Sequence, residues 1–270
     1  FQIRGVEVLL ICGKVGESGS ELADEELICD LSLTDSIVDK IENYSRYLFL
    51  GTGHNLAINI ARICAQKELE VNFDTEIAKL FKSKLKTHRF VSQLGYKTPL
   101  LHVINGSDDN FSPKIFPVIL KSEEDSYKTA MVGSVREFME VRDRILDSNS
   151  VVVVENYISG FEVTIPVKAA INKVEACRAS LSMEGINTKA VSILKGFDNS
   201  GDSENSGLLT ESMQDRIVKI VEHIISESKY TGYPRFDIII GTDSEIYILE
   251  INSIMVTAVG GTHYPWSEVG

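Results

Sequence analysis

Near its end the chain carries two strand-like runs, Tyr233 to Gly241 and Glu245 to Asn252, joined only by Thr242-Asp243-Ser244. So short a connection pairs them as an antiparallel hairpin. Ionisable and apolar residues alternate along it, as Arg235-Phe236-Asp237 on one strand and Glu250-Ile251-Asn252 on the other. A period of two puts Arg235 and Asp237 on one face, and Glu250 and Asn252 on one face of the neighbour. If those faces coincide, three oxygen-bearing side chains and a guanidinium converge. Two carboxylates and an amide oxygen are hard ligands suited to Mg2+, which keeps waters and completes its shell with substrate phosphates. The same alternation also fits a surface ladder of charge pairs.

Upstream, Val8 to Ile11 and Tyr47 to Leu50 read as strands, the second followed by Gly51-Thr52-Gly53 and an amphipathic stretch from His54 to Lys67. Glu70 to Phe73 is a short third strand. Strand, glycine turn and helix are the units of an open α/β layer, so residues 1–75 are expected to form a small N-terminal α/β domain. No GxGxxG follows Val8 to Ile11, which argues against a nicotinamide-binding fold.

Asp74 is placed to cap one helix running from Thr75 to about Leu94, closed by Gly95. After a polar linker, Asn105 to Pro113, strands are expected over Phe116 to Lys121 and Lys128 to Val132. Ser134-Val-Arg-Glu137 supplies a capping box for a helix to about Leu146. Val151 to Tyr157 is a continuous apolar run of the kind buried on both faces, and Ser159-Gly160 is a hinge between lobes. Phe161 to Ala170, Glu175 to Leu181 and Thr188 to Leu194 have the pattern of an antiparallel meander. Thr210 caps a helix striped by Met213, Ile217, Ile220 and Ile224. Beyond the N-terminal domain the expected units are residues 76–158 and 159–270.

Composition removes several classes of function. The 270 residues include 27 Lys plus Arg against 39 Asp plus Glu, a net charge of −12. Only Lys79 to Arg89 is basic over more than a few residues, too little to wrap a nucleic-acid backbone. No apolar run approaches the roughly 20 residues of a membrane helix. The four cysteines, Cys12, Cys29, Cys64 and Cys177, are scattered without a CxxC, which suits reduced core residues of a cytoplasmic protein. No basic-then-apolar leader follows Phe1.

Two further elements carry chemistry. Phe116-Pro-Val-Ile-Leu-Lys121 is a buried strand ending in a lysine, where a cation on a rigid support can hold a phosphate. Val151-Val-Val-Val-Glu155 ends in an acid just before the hinge, a place from which to accept an adenine amino group. Each is weak alone, and the lysine reads equally as a solvated strand end.

The order of the pieces is what identifies them. A lysine helix, Pro-Val-Ile-Leu-Lys121, Val-Glu155-x-Tyr157-Ile158-x-Gly160-x-Glu162, Arg235-Phe-Asp237 and Leu-Glu250-Ile-Asn252 together resemble the ATP-grasp superfamily, and within it the D-alanine-D-alanine ligase branch. The resemblance covers about residues 74–270 and includes Ser83-Lys84 and the Gly95 to Pro99 segment. It implies an α/β class of fold built from α+β lobes, the ATP-grasp fold, behind the small N-terminal domain.

The resemblance implies that Lys84 and Lys121 contact ATP phosphates, that Glu155 takes the adenine amino group, and that Tyr157 and Ile158 frame the base. Glu162 would bind the ribose. Asp237, Glu250 and Asn252 would hold Mg2+ as two ions, with Mn2+ as a substitute, and Arg235 would lie beside the transferring phosphate. Lys195 matches a further phosphate lysine. The implied reaction phosphorylates a small carboxylic or amino acid and couples the acyl phosphate to an amine, releasing ADP and phosphate. Implied partners are these small substrates and, compatibly, a second copy of the chain, but no nucleic acid or membrane. A different nucleophile, cyclisation of one substrate, or a nucleotide-binding regulator are the alternatives.

The chain also departs from the family's pattern. Asn252 is followed by Ser253-Ile-Met-Val256-Thr257 without the family's Pro-Gly turn. Ser122-Glu-Glu-Asp-Ser-Tyr127 is acidic where a glycine-rich phosphate loop is expected, and Ser83 replaces an aspartate. His263, in Gly260-Gly-Thr-His-Tyr-Pro265, reads either as facing the acceptor amine or as a surface residue of a loop. His54, His88, His102 and His223 form no metal-binding spacing and have no assigned chemistry.

Overall fold

The computed structural model describes residues 9–16, 20, 23–30, 32–41, 47–48, 54–107, 109–123, 129–148, 150–170, 173–176, 180–181 and 210–254. Its N-terminal part contains the parallel strands β1 (Leu9–Cys12) and β2 (Glu25–Ile28), helix α1 (Thr34–Ile41), and a second parallel pair, β3 (Tyr47–Leu48) and β4 (Glu70–Val71). Helix α2 (His54–Gln66) connects β3 to β4. The expected strands and helix are there, and β2 and α1 are additional. Strand β2 is mostly exposed and therefore has no apolar pattern to reveal it.

The expected single helix over Thr75 to Leu94 is two, α3 (Thr75–Lys82) and α4 (Lys84–Gln93). Asp74 caps the first as anticipated, its Oδ1 accepting from the Ile77 amide at 2.8 Å. The break falls at Ser83, whose extended backbone (φ −81°, ψ 115°) ends α3 and whose hydroxyl caps α4 by accepting from the Lys86 amide at 3.1 Å. A serine that competes for backbone hydrogen bonds is a natural place to interrupt a helix.

A four-stranded antiparallel sheet follows, in the order β5 (Leu100–Ile104), β8 (Val152–Asn156), β6 (Val118–Ser122), β7 (Thr129–Val132). Helix α5 (Val135–Leu146) covers one face, and Ser134 caps it as its sequence indicated. Val118, Leu120, Val152 and Val154 join Phe138 and Ile145 of α5 in one apolar core. Register puts Ile119 opposite Glu155 and Lys121 opposite Val153, so alternation turns Lys121 and Glu155 to the other face together. The anticipated two-sided burial of the valine run holds, for Val152, Val153 and Val154 are all fully buried.

The last sheet has the order β10 (Lys173–Ala176), β9 (Gly160–Ala170), β12 (Arg235–Gly241), β13 (Ile246–Asn252), with β11 (Ser180–Leu181) also paired to β9. Thr188 to Leu194, the expected third strand of the meander, lies outside the described residues. Helix α6 (Glu211–Ser228), capped by Thr210, contributes Ile217, Val221, Ile224 and Ile225 to a second and larger core. That core also gathers α2, α3 and α4 onto the inner faces of β9, β12 and β13. The two cores therefore do not follow chain order.

The sheets meet through backbone. The Lys97 carbonyl accepts from the Ile248 amide of β13 at 3.0 Å, and the Pro99 carbonyl accepts from the Asn156 amide at the end of β8 at 2.8 Å. On the other side the Ser159 carbonyl accepts from the Thr242 amide. Gly160, at this junction, has no room for a side chain: an added Cβ would stand 2.1 Å from the Ile240 carbonyl oxygen. Backbone cannot yield as a side-chain tip can. Gly160→Ala is expected to cost about 1–3 kcal/mol of stability, the range for overpacked sites, and to appear as a lowered urea unfolding midpoint.

Candidate nucleotide and metal site

The hairpin faces do coincide. Arg235 pairs with Asn252 and Asp237 with Glu250 across β12 and β13, while Thr164 of β9 lies opposite Asp237 on its other side. Apolar neighbours Phe236, Ile238 and Ile251 point into the core beneath. This is not a solvated ladder: Asp237 is buried, and Arg235, Glu250 and Asn252 are half-buried.

Asp237 is the hub of this face. Its Oδ2 accepts from an Arg235 Nη at 2.7 Å and from the Asn252 amide at 2.8 Å, and its Oδ1 accepts from the Thr164 hydroxyl at 3.0 Å. The Asn252 amide also reaches Glu250 Oε1 at 2.9 Å. Burial foremost, with Glu250 adding to it, pushes the Asp237 carboxyl up to about 6 against the pull of Arg235. Glu250 moves the other way, held down by hydrogen bonds from Asn252 and with Asp237 despite its own burial. Glu162, on β9, is pushed up to about 7 by burial first and then by Asp237 and Glu250.

Cations stand on the facing side. Lys121 of β6 places its ammonium 2.8 Å from Glu155 Oε2, and Glu155 Oε1 is 2.9 Å from His88 Nε2 of α4. Lys121 and His88 hold the Glu155 carboxyl below its ordinary range even though burial is the largest single influence and acts in the opposite sense. Lys84, the first residue of α4, is buried, and burial lowers its ammonium against the attraction of Glu123, Glu250 and Glu155. The same field joins the two sides, because Lys121 acts on both Glu162 and Glu250.

The structure thus groups Arg235, Asp237, Glu250 and Asn252 by hydrogen bonds and Lys121 with Glu155 by an ion pair, with Glu162 and Lys84 near enough to feel Glu250. Tyr157 is exposed and Ile158 half-buried on the turn between β8 and β9. Lys195 and His263 lie outside the described residues.

Two neighbours were not anticipated. Glu123, two residues beyond Lys121, accepts from the Ser83 hydroxyl through Oε1 and from the Leu85 amide at 3.1 Å through Oε2. A carboxylate on the first turn of a helix compensates its unpaired amides. Glu123 thereby places a carboxylate beside Ser83 at the start of α4. His88 is the other, fully buried against Glu155; its spacing of four from Lys84 was the available signal.

A Mg2+ ion fits this donor set. Among the described residues no group of three or more His, Cys, Asp and Glu side chains could cage a metal alone. Two crowded carboxylates, one with a raised pKa, together with an amide whose oxygen and nitrogen exchange by a half-turn, form an incomplete hard shell that phosphate oxygens and water would complete.

The two sheets and the helices packed on them have the fold of ATP-grasp proteins. The chain belongs to the D-ala D-ala ligase C-terminus family, whose model matches residues 107–259, more than half of it. Among solved structures it is similar to the ADP complex of purK, an N5-carboxyaminoimidazole ribonucleotide synthetase, with TM-score 0.74 and 12% identity over 97% of this chain and 67% of that one. It is also similar to the biotin carboxylase domain of Hydrogenobacter thermophilus 2-oxoglutarate carboxylase, crystallised with MgADP, ADP and bicarbonate (TM-score 0.72, 16% identity, 94% and 60% of the two chains). VanG D-Ala:D-Ser ligase from Enterococcus faecalis matches with TM-score 0.59 and 19% identity over 77% and 64% of the two chains. These likenesses are of fold, and the chain spans about two thirds or less of each neighbour's length. No curated protein matches the chain in sequence. Among the described residues no helix is long and apolar enough to cross a membrane.

Removing the Glu123 carboxylate leaves the Leu85 amide in the first turn of α4 without its acceptor. Glu123→Ala is expected to lose about 1–2 kcal/mol of stability, the scale of a lost helix cap, in a urea unfolding series, with Glu123→Gln recovering part of it.

Proposed function

We propose that this chain carries the nucleotide and metal sites of an ATP-dependent ligase that converts a small carboxylate to an acyl phosphate and couples it to an amine. The observation that carries the reading is the hydrogen-bonded cluster of Arg235, Asp237, Glu250 and Asn252 on one sheet face, with Lys84 and Lys121 as cations that act on Glu250 or feel it. Triphosphate charge and a divalent ion are the pair of ligands such an arrangement complements.

In this reading Lys84 and Lys121 hold ATP phosphates. Glu155, with two of its roughly four lone-pair positions engaged, offers another to the adenine amino group, and Tyr157 and Ile158 border the base. Glu162 faces the ribose. Asp237, Glu250 and Asn252 hold Mg2+, which when bound neutralises charge on the phosphates. Arg235, braced by Asp237 at 2.7 Å, stabilises the phosphoryl group in flight.

A carboxylate is a poor acyl donor because oxide is a poor leaving group. Its oxygen attacks the γ-phosphorus, the bond to the ADP oxygen breaks, and an acyl phosphate forms. The amine nitrogen then attacks the acyl carbon, the carbon–oxygen bond to phosphate breaks, and the amine gives up a proton. The products are an amide, ADP and phosphate.

The carboxylate class extends down to bicarbonate, since one fold neighbour was crystallised with that anion, and up to amino acids, since another is a D-Ala:D-Ser ligase. Phosphorus NMR of the protein with Mg2+, ATP and pools of amino acids, simple carboxylates and bicarbonate tests the reaction. Substrate-dependent ADP and phosphate are expected, whereas AMP with pyrophosphate would reject acyl phosphate chemistry. ATP bound but never turned over would favour a nucleotide-binding regulator, the reading that the missing Pro-Gly turn after Asn252 supports.

Asp237→Asn and Glu250→Gln should each lower turnover by about 100-fold or more, the scale on which loss of one preorganised charge-stabilising group acts. Thermal unfolding of both variants should stay close to the parent. Full activity in both would remove the metal assignment.

A further inference from the structure

We infer that His88 is a positioning residue of the nucleotide site, acting through Glu155 to keep the Lys121 ammonium at the cleft. The inference rests on the ATP-binding reading above and adds a residue to which the sequence assigned no chemistry.

The geometry is a relay across three elements. His88 of α4 is 0% exposed, and its Nε2 lies 2.9 Å from Glu155 Oε1. Glu155 of β8 is 2% exposed, and its other oxygen lies 2.8 Å from the Lys121 ammonium of β6. The Lys121 side chain is 15% exposed, and of the three it is the most open to solvent. A carboxylate ionised beside an ammonium accepts, so Nε2 carries the hydrogen.

A carboxylate this far from water must have both oxygens engaged. His88 answers for Oε1 alone and thereby leaves Lys121 to answer for Oε2 alone. Without the imidazole, Lys121 is the nearest cation left to a desolvated carboxylate. It would be drawn toward both oxygens, away from any phosphate in the cleft.

The imidazole is retained at a cost. Its Nδ1 is buried and has no hydrogen-bond partner among the described residues. An apolar side chain of similar size would avoid that unsatisfied nitrogen, so the contact at Nε2 is what accounts for a histidine here.

The test is MgATP affinity of the whole chain, measured by calorimetry for the parent, His88→Leu and His88→Gln, each with and without Lys121→Met. His88→Leu should weaken binding about tenfold, the value of one hydrogen bond to a buried charge. His88→Gln, whose amide can still donate to Glu155, should stay within about threefold of the parent. With Lys121→Met already present, His88→Leu should cause no further loss, because its effect passes through that lysine.

Unchanged affinity in His88→Leu overturns the inference. So do equal losses for Leu and Gln that persist in the Lys121→Met background, which would mark a packing role. Should His88→Leu not fold, nitrogen NMR of the parent's histidine rings decides, with His88 identified by the signal lost in His88→Gln. Its Nε2 resonance should move as MgATP saturates the protein and Lys121 turns to the phosphates; a resonance that stays fixed overturns the inference. If the parent binds no MgATP, the ATP-binding reading fails and this inference with it. MgATP binding by the parent combined with any overturning result removes the role of His88 alone.

Discussion

Glu155 is a carboxylate withdrawn almost wholly from water, and the cleft is arranged around compensating it. A valine run buried on both faces delivers it to the end of β8. Its charge is met from two directions, by Lys121 on the adjacent strand and by His88 on α4. Because α4 also packs into the core beneath β13, the contact at His88 ties the first sheet to the second. Glu123 repeats that tie at the start of the same helix. One helix is therefore held by both lobes through the groups that line the space between them.

The opposite wall has the converse difficulty. Asp237, Glu250 and Glu162 are like charges gathered on adjacent strands, and burial first, with their mutual repulsion added, raises the carboxyls of Asp237 and Glu162. What keeps them together is the reverse face of the same strands, where Val163, Ile165, Phe236, Ile238 and Ile251 are sealed in the larger core. Apolar burial, at about 25 cal/mol for each Å2 removed from water, offsets such repulsion over several strands. Arg235, Thr164 and Asn252 take up the oxygens of Asp237 that the core cannot satisfy.

Much of this was legible along the chain where a local period controls the outcome. Alternation in the last hairpin identified the face shared by Arg235, Asp237, Glu250 and Asn252, and a capping pattern located the starts of α3, α5 and α6. The bulge between Asp237 and Ile238 was not legible, since the apolar runs Ile238-Ile239-Ile240 and Ile248-Leu249 hold no alternation for it to break. Nor was the break at Ser83, because Glu123, which stabilises it, stands 40 residues away. Strand β5 escaped notice because only Ile104 of its five residues is fully buried.

By itself the sequence determined the faces of the closing hairpin, the starts of three helices and the residue types able to hold phosphate and a hard cation. These are consequences of side-chain period and chemistry, which a linear chain already contains. Only the tertiary structure decided that α4 packs with the C-terminal sheet while its His88 meets Glu155 of the other sheet, and that Glu123 comes to the start of that helix. Those outcomes depend on desolvation. A charge's partners are chosen by what else is buried beside it, and that neighbourhood comes into being only when distant segments meet.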